Sequence, residues 1–232
     1  MTRIFDALQI HDEGESAARE MPEPGPQVYG EPSVLPREEL IALYHTLRTQ
    51  LPEDAPPIFE ITASTHGEGT STITRDLANA VAATLGLRVL LVTIESREGA
   101  EPGLEAVATG TAIATDIIAP ARDGPFYRAS LSVLGAGARF LSESGGLEKV
   151  LAELIELVDI VFIDAPPILA EVASMVLTRC VGGVVLVVEA EKTRAPIVEQ
   201  ARRAIEANGG RLLGIIMNKR RYHIPRAIYQ RL

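Results

Sequence analysis

Apolar residues along the chain fall into two alternating kinds of segment. The first kind is a short, nearly continuous apolar run, typical of a strand covered on both faces of a sheet; these runs lie at 57–63, 87–94, 130–135, 159–164, 183–189 and 211–217. The second kind has apolar residues every three or four positions, which predicts a helix; these segments lie at 70–85, 139–157, 168–179 and 195–208, and a further helical pattern begins near Arg37. The alternation predicts an α/β fold, a doubly wound, mostly parallel sheet with helices on both faces.

The two ends of the chain lack this alternation. Residues 1–10 are expected to form a short helix with Ile4, Phe5 and Leu8 on one side. Residues 11–36 contain five of the fifteen prolines together with several acids, which predicts a flexible linker. One α/β domain is expected to follow over 37–218, and a basic tail over 219–232.

Charge and hydropathy argue against two classes of function. A net charge of −9 at pH 7 would repel the phosphates of a duplex, so no nucleic-acid partner is expected. The longest apolar runs, "VVLVV" and "IVFI", are far shorter than the ~20 residues of a membrane helix. The start "MTRIFDALQI" continues into an acidic stretch rather than into the apolar core of a signal peptide. A soluble, intracellular protein is therefore expected.

The stretch "STHGEGTST", residues 64–72, connects the first strand of the domain to the helical pattern at 70–85. Its glycines permit a tight loop whose backbone N–H groups can face an anion, and the following helix adds the positive end of its dipole. The candidate cofactor-binding residues of this loop are Gly67, Glu68, Gly69, Thr70, Ser71 and Thr72. An ordinary strand-to-helix turn with two glycines is the alternative interpretation.

An acid at the end of a later strand supports the first interpretation. Asp164 closes the run "VDIVFID", where a carboxylate can hold Mg²⁺ directly or through water. Ser71 stands where the hydroxyl of a phosphate-binding loop binds the same ion, so Ser71 and Asp164 are the candidate metal ligands. The alternative is that Asp164 only caps the following turn. Loop and acid together favour a nucleotide site at the carboxyl ends of the strands, where doubly wound sheets bind their ligands.

Several longer stretches resemble a known family. These are "ITASTHGEGTSTITRDLANAVA", "RVLLVTIESREGAEPGLEAVATG", "ASLSVLGAG", "VDIVFIDAPPIL" and "GGRLLGIIMNKRRY". From about Glu38 to its end, the chain is similar to the bacterial tyrosine autokinases of capsule and exopolysaccharide synthesis, whose P-loop domain is also similar to the septum-site and partition ATPases. The resemblance implies a P-loop NTPase-like domain, ATP with Mg²⁺, and contact of Asn218 with the nucleotide base. A turn-forming asparagine at a strand end is the alternative for Asn218.

The chain departs from the family pattern where the chemistry would occur. The family's P-loop lysine aligns with Thr70, and the two carboxylates after its second strand align with Thr93 and Glu95. If the protein were active, Asp164 and Glu95 would be its catalytic residues. A later aspartate of the family is replaced by Ala173, and the E-x-x-R-x-x-R pattern associated with ring-like self-association is reduced to Ala42, His45 and Arg48.

Two functions follow from the resemblance and its departures. The favoured one is a non-catalytic, cytoplasmic regulatory module of exopolysaccharide or capsule biosynthesis. It would dock on a membrane-embedded chain-length or export protein and bind ATP and Mg²⁺ weakly or not at all. The other is an active, ATP-dependent tyrosine autokinase with Tyr222 and Tyr229 of the basic tail as phosphate acceptors. It would need a substitute for the lysine, such as Arg75, Arg97 or a residue of a partner chain. A solvated terminal helix is the alternative for the tail.

Overall fold

In the computed structural model, residues 21–23, 35–95, 102–133 and 145–220 are described. The expected helix at 1–10, most of the expected linker and the tail from residue 221 onward lie outside these ranges. The helices are α1 (Arg37–Gln50), α2 (Thr70–Leu85), α3 (Leu104–Ala108), α4 (Gly146–Leu157), α5 (Val172–Leu177) and α6 (Ala195–Ala207), with a 3-10 turn at Ala114–Asp116. The strands are β1 (Ile58–Ala63), β2 (Val89–Glu95), β3 (Ala119–Pro120), β4 (Tyr127–Ser132), β5 (Ile160–Asp164), β6 (Gly183–Glu189) and β7 (Leu212–Asn218).

The seven strands form one sheet in the order β3-β4-β2-β5-β1-β6-β7. The neighbouring strands are parallel except for β3 and β4, which are antiparallel. Strand β1 lies between β5 and β6, and all six of its residues are buried. The expected mostly parallel, doubly wound sheet is confirmed.

Helices cover both faces of the sheet. On one face, α1 and α2 pack on Phe59 and Ile61 of β1. On the other face, α3, α4 and α5 pack on β2 and β5, and α6 packs on the middle of β6. Because successive strand residues point to opposite faces, a strand covered on both sides requires the continuous apolar runs seen in the sequence. Within the described ranges, no helix is both long enough and apolar enough to cross a bilayer.

Several element boundaries differ from the sequence-based expectation. The strand expected at 130–135 lies at Tyr127–Ser132. The helix expected at 168–179 is confined to Val172–Leu177, because the two prolines at 166 and 167 are followed by a turn that runs beside β1. The described part of the helix expected at 139–157 begins at Gly146. The short elements α3 and β3 were not predicted, since five residues and two residues are too few to show a period.

Candidate functional site

The sheet register brings the predicted site residues to one edge. Asp164, the last residue of β5, lies opposite Ile61 of β1 and Thr93 of β2. Glu95 ends β2, two residues beyond Thr93, and is partly exposed. The loop at 64–69 leaves β1 at the same carboxyl edge, which is the ligand edge of doubly wound sheets. Asn218 ends β7 at this edge as well. The two candidate phosphate acceptors, Tyr222 and Tyr229, lie outside the described residues.

The loop makes a left-handed turn at each of its two glycines. Gly67 has φ 83° and Gly69 has φ 96°, values that side chains other than glycine rarely adopt. Gly69 is also the N-cap of α2, and a Cβ added there would overlap the side-chain amide of Asn218. No atom lies within 4 Å of a Cβ added at Gly67. Glycine is therefore required at position 69 for space as well as for backbone conformation.

Glu68 points into the protein rather than toward a ligand. Its side chain is buried, and one carboxylate oxygen accepts hydrogen bonds from the backbone N–H groups of Ser64 (2.7 Å) and Thr65 (2.9 Å). The other oxygen accepts from the N–H of Glu189 (3.3 Å) and from the hydroxyl of Thr193. A contact between this residue and a bound anion would therefore come from its backbone. The carboxylate ties the loop to the end of β6.

Asn218 completes this side of the loop. Its amide Nδ2 donates to the carbonyl of Glu68 (2.8 Å), and its Oδ1 accepts from the N–H of Lys219 (2.8 Å). The side chain is 6 % exposed. Both alternatives for Asn218 thus remain compatible with its position: it closes a turn through the Lys219 N–H, and it lies beside the loop where a nucleotide base would be contacted.

The start of α2 forms the other side of the loop. Thr70 is the first residue of the helix and is 9 % exposed, whereas Ser71 is exposed and Thr72 is partly buried. The first N–H groups of a helix have no partner within it, so those of this turn are available to an anion. Neither an acidic nor a basic residue lies in the first turn.

Ser71 and Asp164, the two candidate metal ligands, lie within hydrogen-bonding reach of each other. Burial raises the pKa of Asp164, while the hydrogen bond from Ser71 and the charge of Arg128 act to lower it. A carboxylate and a hydroxyl are hard oxygen donors of the kind that Mg²⁺ prefers. No group of three or more His, Cys, Asp or Glu side chains that could hold a metal occurs among the described residues. Mg²⁺ commonly binds through one or two carboxylates together with substrate phosphates, so this donor set fits the ion.

Two of the chain's three lysines lie beside the loop, a placement that the sequence did not reveal. The ammonium of Lys219 donates to the carbonyl of Gly67 and lies 3.3 Å from a carboxylate oxygen of Glu189. Lys192 pairs with the same carboxylate at 3.0 Å. Lys219 is separated from Gly67 by 152 residues along the chain, and only the order β1-β6-β7 brings it close.

Two arginines near the site, Arg75 and Arg128, pair with acids. Arg75 pairs with Asp76 at 3.4 Å, and Arg97 lies outside the described residues. Arg128 contributes charge to the surroundings of Asp164, but its guanidinium pairs with Asp123 at 2.8 Å and lies over the ring of Phe126.

A pocket of about 260 Å³ lies on the β6 side of the loop. Its walls come from the loop, the end of β6 and the start of α6, namely Thr65, Glu68, Glu189, Lys192, Thr193, Arg194 and Ile197. Neither Ser71 nor Asp164 lines it, so it is separate from the place where phosphates and metal would bind.

Comparison with known proteins identifies relatives of one kind. No protein-family model matches the chain. The tyrosine-protein kinase YwqD of Bacillus subtilis is 30 % identical over 168 residues, which cover 68 % of this chain and 70 % of the relative. The tyrosine-protein kinase CpsD of Streptococcus agalactiae is 28 % identical over 172 residues, covering 70 % and 75 %.

Solved structures agree with these relatives. The kinase domain of the Escherichia coli tyrosine kinase ETK superposes with a TM-score of 0.70 at 24 % identity, covering 81 % of this chain and 78 % of that domain. The cell division ATPase MinD of Pyrococcus furiosus superposes with a TM-score of 0.58 at 19 % identity, covering 75 % and 78 %. These likenesses establish the P-loop NTPase-like fold. The sequence relatives show that the chain belongs to the family of bacterial tyrosine-protein kinases.

Proposed function

We propose that this protein is a regulatory member of its family, a module of exopolysaccharide or capsule production that acts by binding and does not transfer phosphate. The observation that carries the proposal is the residue at the start of α2. Thr70 stands where the resemblance predicts the lysine of the loop, and neither Thr70 nor the rest of the first helical turn supplies a positive charge.

The energetic consequence of this substitution is large. A hydrogen bond to a charged group contributes about 1.5–3 kcal/mol, and the lysine of a phosphate-binding loop contacts two phosphates. Each 1.4 kcal/mol lost from the transition state slows a reaction about tenfold. With Thr93 in place of one carboxylate, the two losses together cost several orders of magnitude in rate.

Weak nucleotide binding remains part of the proposal. The N–H groups of Gly67 to Ser71 would receive phosphate oxygens, and Ser71 with Asp164 would hold Mg²⁺. When bound, the ion neutralises charge on the phosphates. Asn218 would face the base. Glu95 is the one acid that remains of the two carboxylates that the resemblance implies after β2. Its side chain is one methylene longer than that of aspartate.

The proposed partner is a membrane-embedded polysaccharide chain-length or export protein, met at the inner face of the membrane. Support comes from the basic residues that begin at Lys219 and continue into the tail at 221–232, in a chain of net charge −9. Basic residues near an anionic membrane surface contribute about 1 kcal/mol each to binding. Charge reversal at Arg220, Arg221 and Arg226 should reduce co-purification with the membrane fraction and leave the melting temperature nearly unchanged.

The nucleotide proposal is tested by calorimetric titration with ATP·Mg²⁺. The wild-type protein should bind weakly or not at all, and Thr70→Lys should bind about tenfold or more tightly, because one charged hydrogen bond is restored. Thr84→Lys is the matched control, since it adds the same charge to an exposed position near the other end of α2. Tight binding by the wild type that is unaffected by Thr70→Lys would contradict the proposal.

One observation favours the second candidate, an active tyrosine autokinase. Lys219, the residue after β7, places an ammonium group against the carbonyl of Gly67, so a cation lies at the loop. This function requires phosphate on Tyr222 or Tyr229 in cells, lost in Asp164→Ala and strongly reduced in Lys219→Ala. Phosphotyrosine that shows this dependence would overturn the regulatory proposal.

A further inference from the structure

Strand β1 carries two polar side chains that are completely buried. Glu60 and Thr62 are both 0 % exposed and point to the same face, since they are two residues apart. The strand neighbours of Glu60 are Ile163 of β5 and Val184 of β6, both apolar. Within the described chain, the polar side chain against the carboxyl of Glu60 is Thr178, just beyond α5.

The hydrogen-bond geometry determines where the protons lie. The hydroxyl oxygen of Thr178 is 2.8 Å from the backbone carbonyl of Ser174 and 2.8 Å from Oε2 of Glu60. A hydroxyl donates only one hydrogen, and a backbone carbonyl donates none. Two separate, linear hydrogen bonds form only if the carboxyl of Glu60 carries a proton and donates it to the Thr178 hydroxyl, because a single hydroxyl hydrogen shared between two acceptors would leave both contacts weak.

The surroundings of Glu60 agree with a neutral acid. Its second oxygen, Oε1, is buried and has no hydrogen-bond partner in the described chain. An ionised carboxylate with one donor and no paired charge is among the most costly groups to bury. Burial raises the pKa of Glu60 to about 8, and the bond with Thr178 only partly opposes it. Cys180, two residues after Thr178, interacts with Glu148 of α4 and with Arg179.

Further hydrogen bonds connect α5 and β1 to the segment that follows Asp164, the candidate metal ligand. The hydroxyl of Ser174 donates to the carbonyl of Pro166, two residues after Asp164. The hydroxyl of Thr62 donates to the same carbonyl at 2.7 Å. We propose that Glu60 is a neutral carboxylic acid in the folded protein and the first donor of a hydrogen-bond chain that holds α5 and the segment after Asp164 against β1. Glu60 is then a positioning residue, and its ionisation removes the first link. This inference does not depend on the proposed function.

The protonation state of Glu60 is measured directly by carbon-13 NMR of the full chain, with side-chain carboxyls labelled. The Glu60 signal, assigned by its loss in Glu60→Gln, should report a protonated acid at pH 6 and should change only near pH 8. A Glu60 signal that already reports an ionised acid at pH 6 overturns the proposal, and this readout needs no variant beyond the one used for assignment.

Urea unfolding between pH 5 and 8 provides the linked measurement. In this window the folded wild type keeps the proton of Glu60 while the unfolded chain loses it, so stability falls as pH rises. The unfolding constant of the wild type should rise up to about tenfold per pH unit relative to Glu60→Gln, which stays neutral and retains a donor for Thr178. The unfolding constant of Glu53→Gln should change with pH in the same way as that of the wild type. Parallel curves for the wild type and Glu60→Gln would refute the proposal.

Hydrogen exchange tests the link to the segment after Asp164. The N–H groups of Ala165 and Ile168 bond to carbonyls of β1 at 3.0 Å and 2.9 Å. Glu60→Leu, which has no donor, should increase their exchange several-fold more than Glu60→Gln does. Equal exchange in both variants would contradict the proposed link, because the hydrogen-bond chain from Glu60 would then end at Thr178.

Discussion

The two sides of the loop at 64–69 differ in how firmly the protein itself holds them. On the β6 and β7 side, the carboxylate of Glu68 accepts four hydrogen bonds, and Asn218 fixes the Glu68 carbonyl. On the β5 side, the hydroxyl of Ser71 and the carboxyl of Asp164 face each other, and burial raises the pKa of that acid. The protein alone holds the first side, whereas the second side offers its polar groups to a ligand.

The residues that maintain the shape of the loop therefore differ from those that would act on a phosphate. The residues that shape the loop, Glu68, Gly69 and Asn218, form a set of contacts that needs no ligand. The residues that would act on a phosphate lack the charge of a lysine. The loop's own contacts therefore stabilise its shape independently of any phosphate transfer.

The largest expected effect is the removal of the Glu68 carboxylate. Glu68→Ala leaves the N–H groups of Ser64, Thr65 and Glu189 without their acceptor. Unpaired buried groups are costly, so the free energy of unfolding should fall by about 2–4 kcal/mol in urea titration. Glu53→Ala, at an exposed position, should change it by less than about 0.5 kcal/mol. Equal effects would show that the tie to β6 does not stabilise the fold.

A second comparison uses the two glycines. Gly67→Ala and Gly69→Ala both impose a left-handed conformation on alanine, which costs about 1 kcal/mol. Only Gly69→Ala also brings a methyl group against the amide of Asn218, so its total cost should reach about 2–3 kcal/mol. Adding Asn218→Ala should relieve part of that extra cost in a double-mutant cycle. Additive effects would place Asn218 away from Gly69 in solution.

On the other side of the loop, a substitution should stabilise the protein. The pKa of Asp164 is raised in the folded protein. Ionisation of this acid therefore destabilises the fold once the pH rises above the pKa that the acid has in the unfolded chain. Asp164→Asn should therefore increase the free energy of unfolding at pH 7 by about 0.5–1 kcal/mol, and the gain should vanish below about pH 4. A loss of stability at pH 7 would mean that the carboxylate charge supports the fold.

The smallest expected effect belongs to Lys219. Its side chain is 45 % exposed, and exposed ion pairs contribute little. Lys219→Ala should change the free energy of unfolding by less than about 0.5 kcal/mol. A loss above about 1.5 kcal/mol would make Lys219 a structural support of the loop rather than a cation available to a ligand.

Local patterns predicted much of the fold. The helix α2 was expected at 70–85 and lies at Thr70–Leu85, and β6 was expected at 183–189 and lies at Gly183–Glu189. The helix α2 shows apolar residues at helical spacing over its whole length, and β6 is a continuous apolar run. Both signals are local in the sequence. The helix expected at 168–179 is shorter, because Ala165 and Ile168 bond to carbonyls of β1 and the segment 167–171 forms a separate turn before α5 begins. That preference comes from bonds to another strand and leaves no periodic signal.

What the sequence by itself determined is the class of fold, the family resemblance and the glycine loop with threonine at position 70, because these depend on residue types at fixed short spacings. The tertiary structure alone decided which way Glu68 points, that Lys219 reaches the loop, and that Glu60 meets the Thr178 hydroxyl inside an apolar strand. Each of these pairs residues more than a hundred positions apart. Only the order of strands in the sheet brings such residues together, and no local pattern encodes that order.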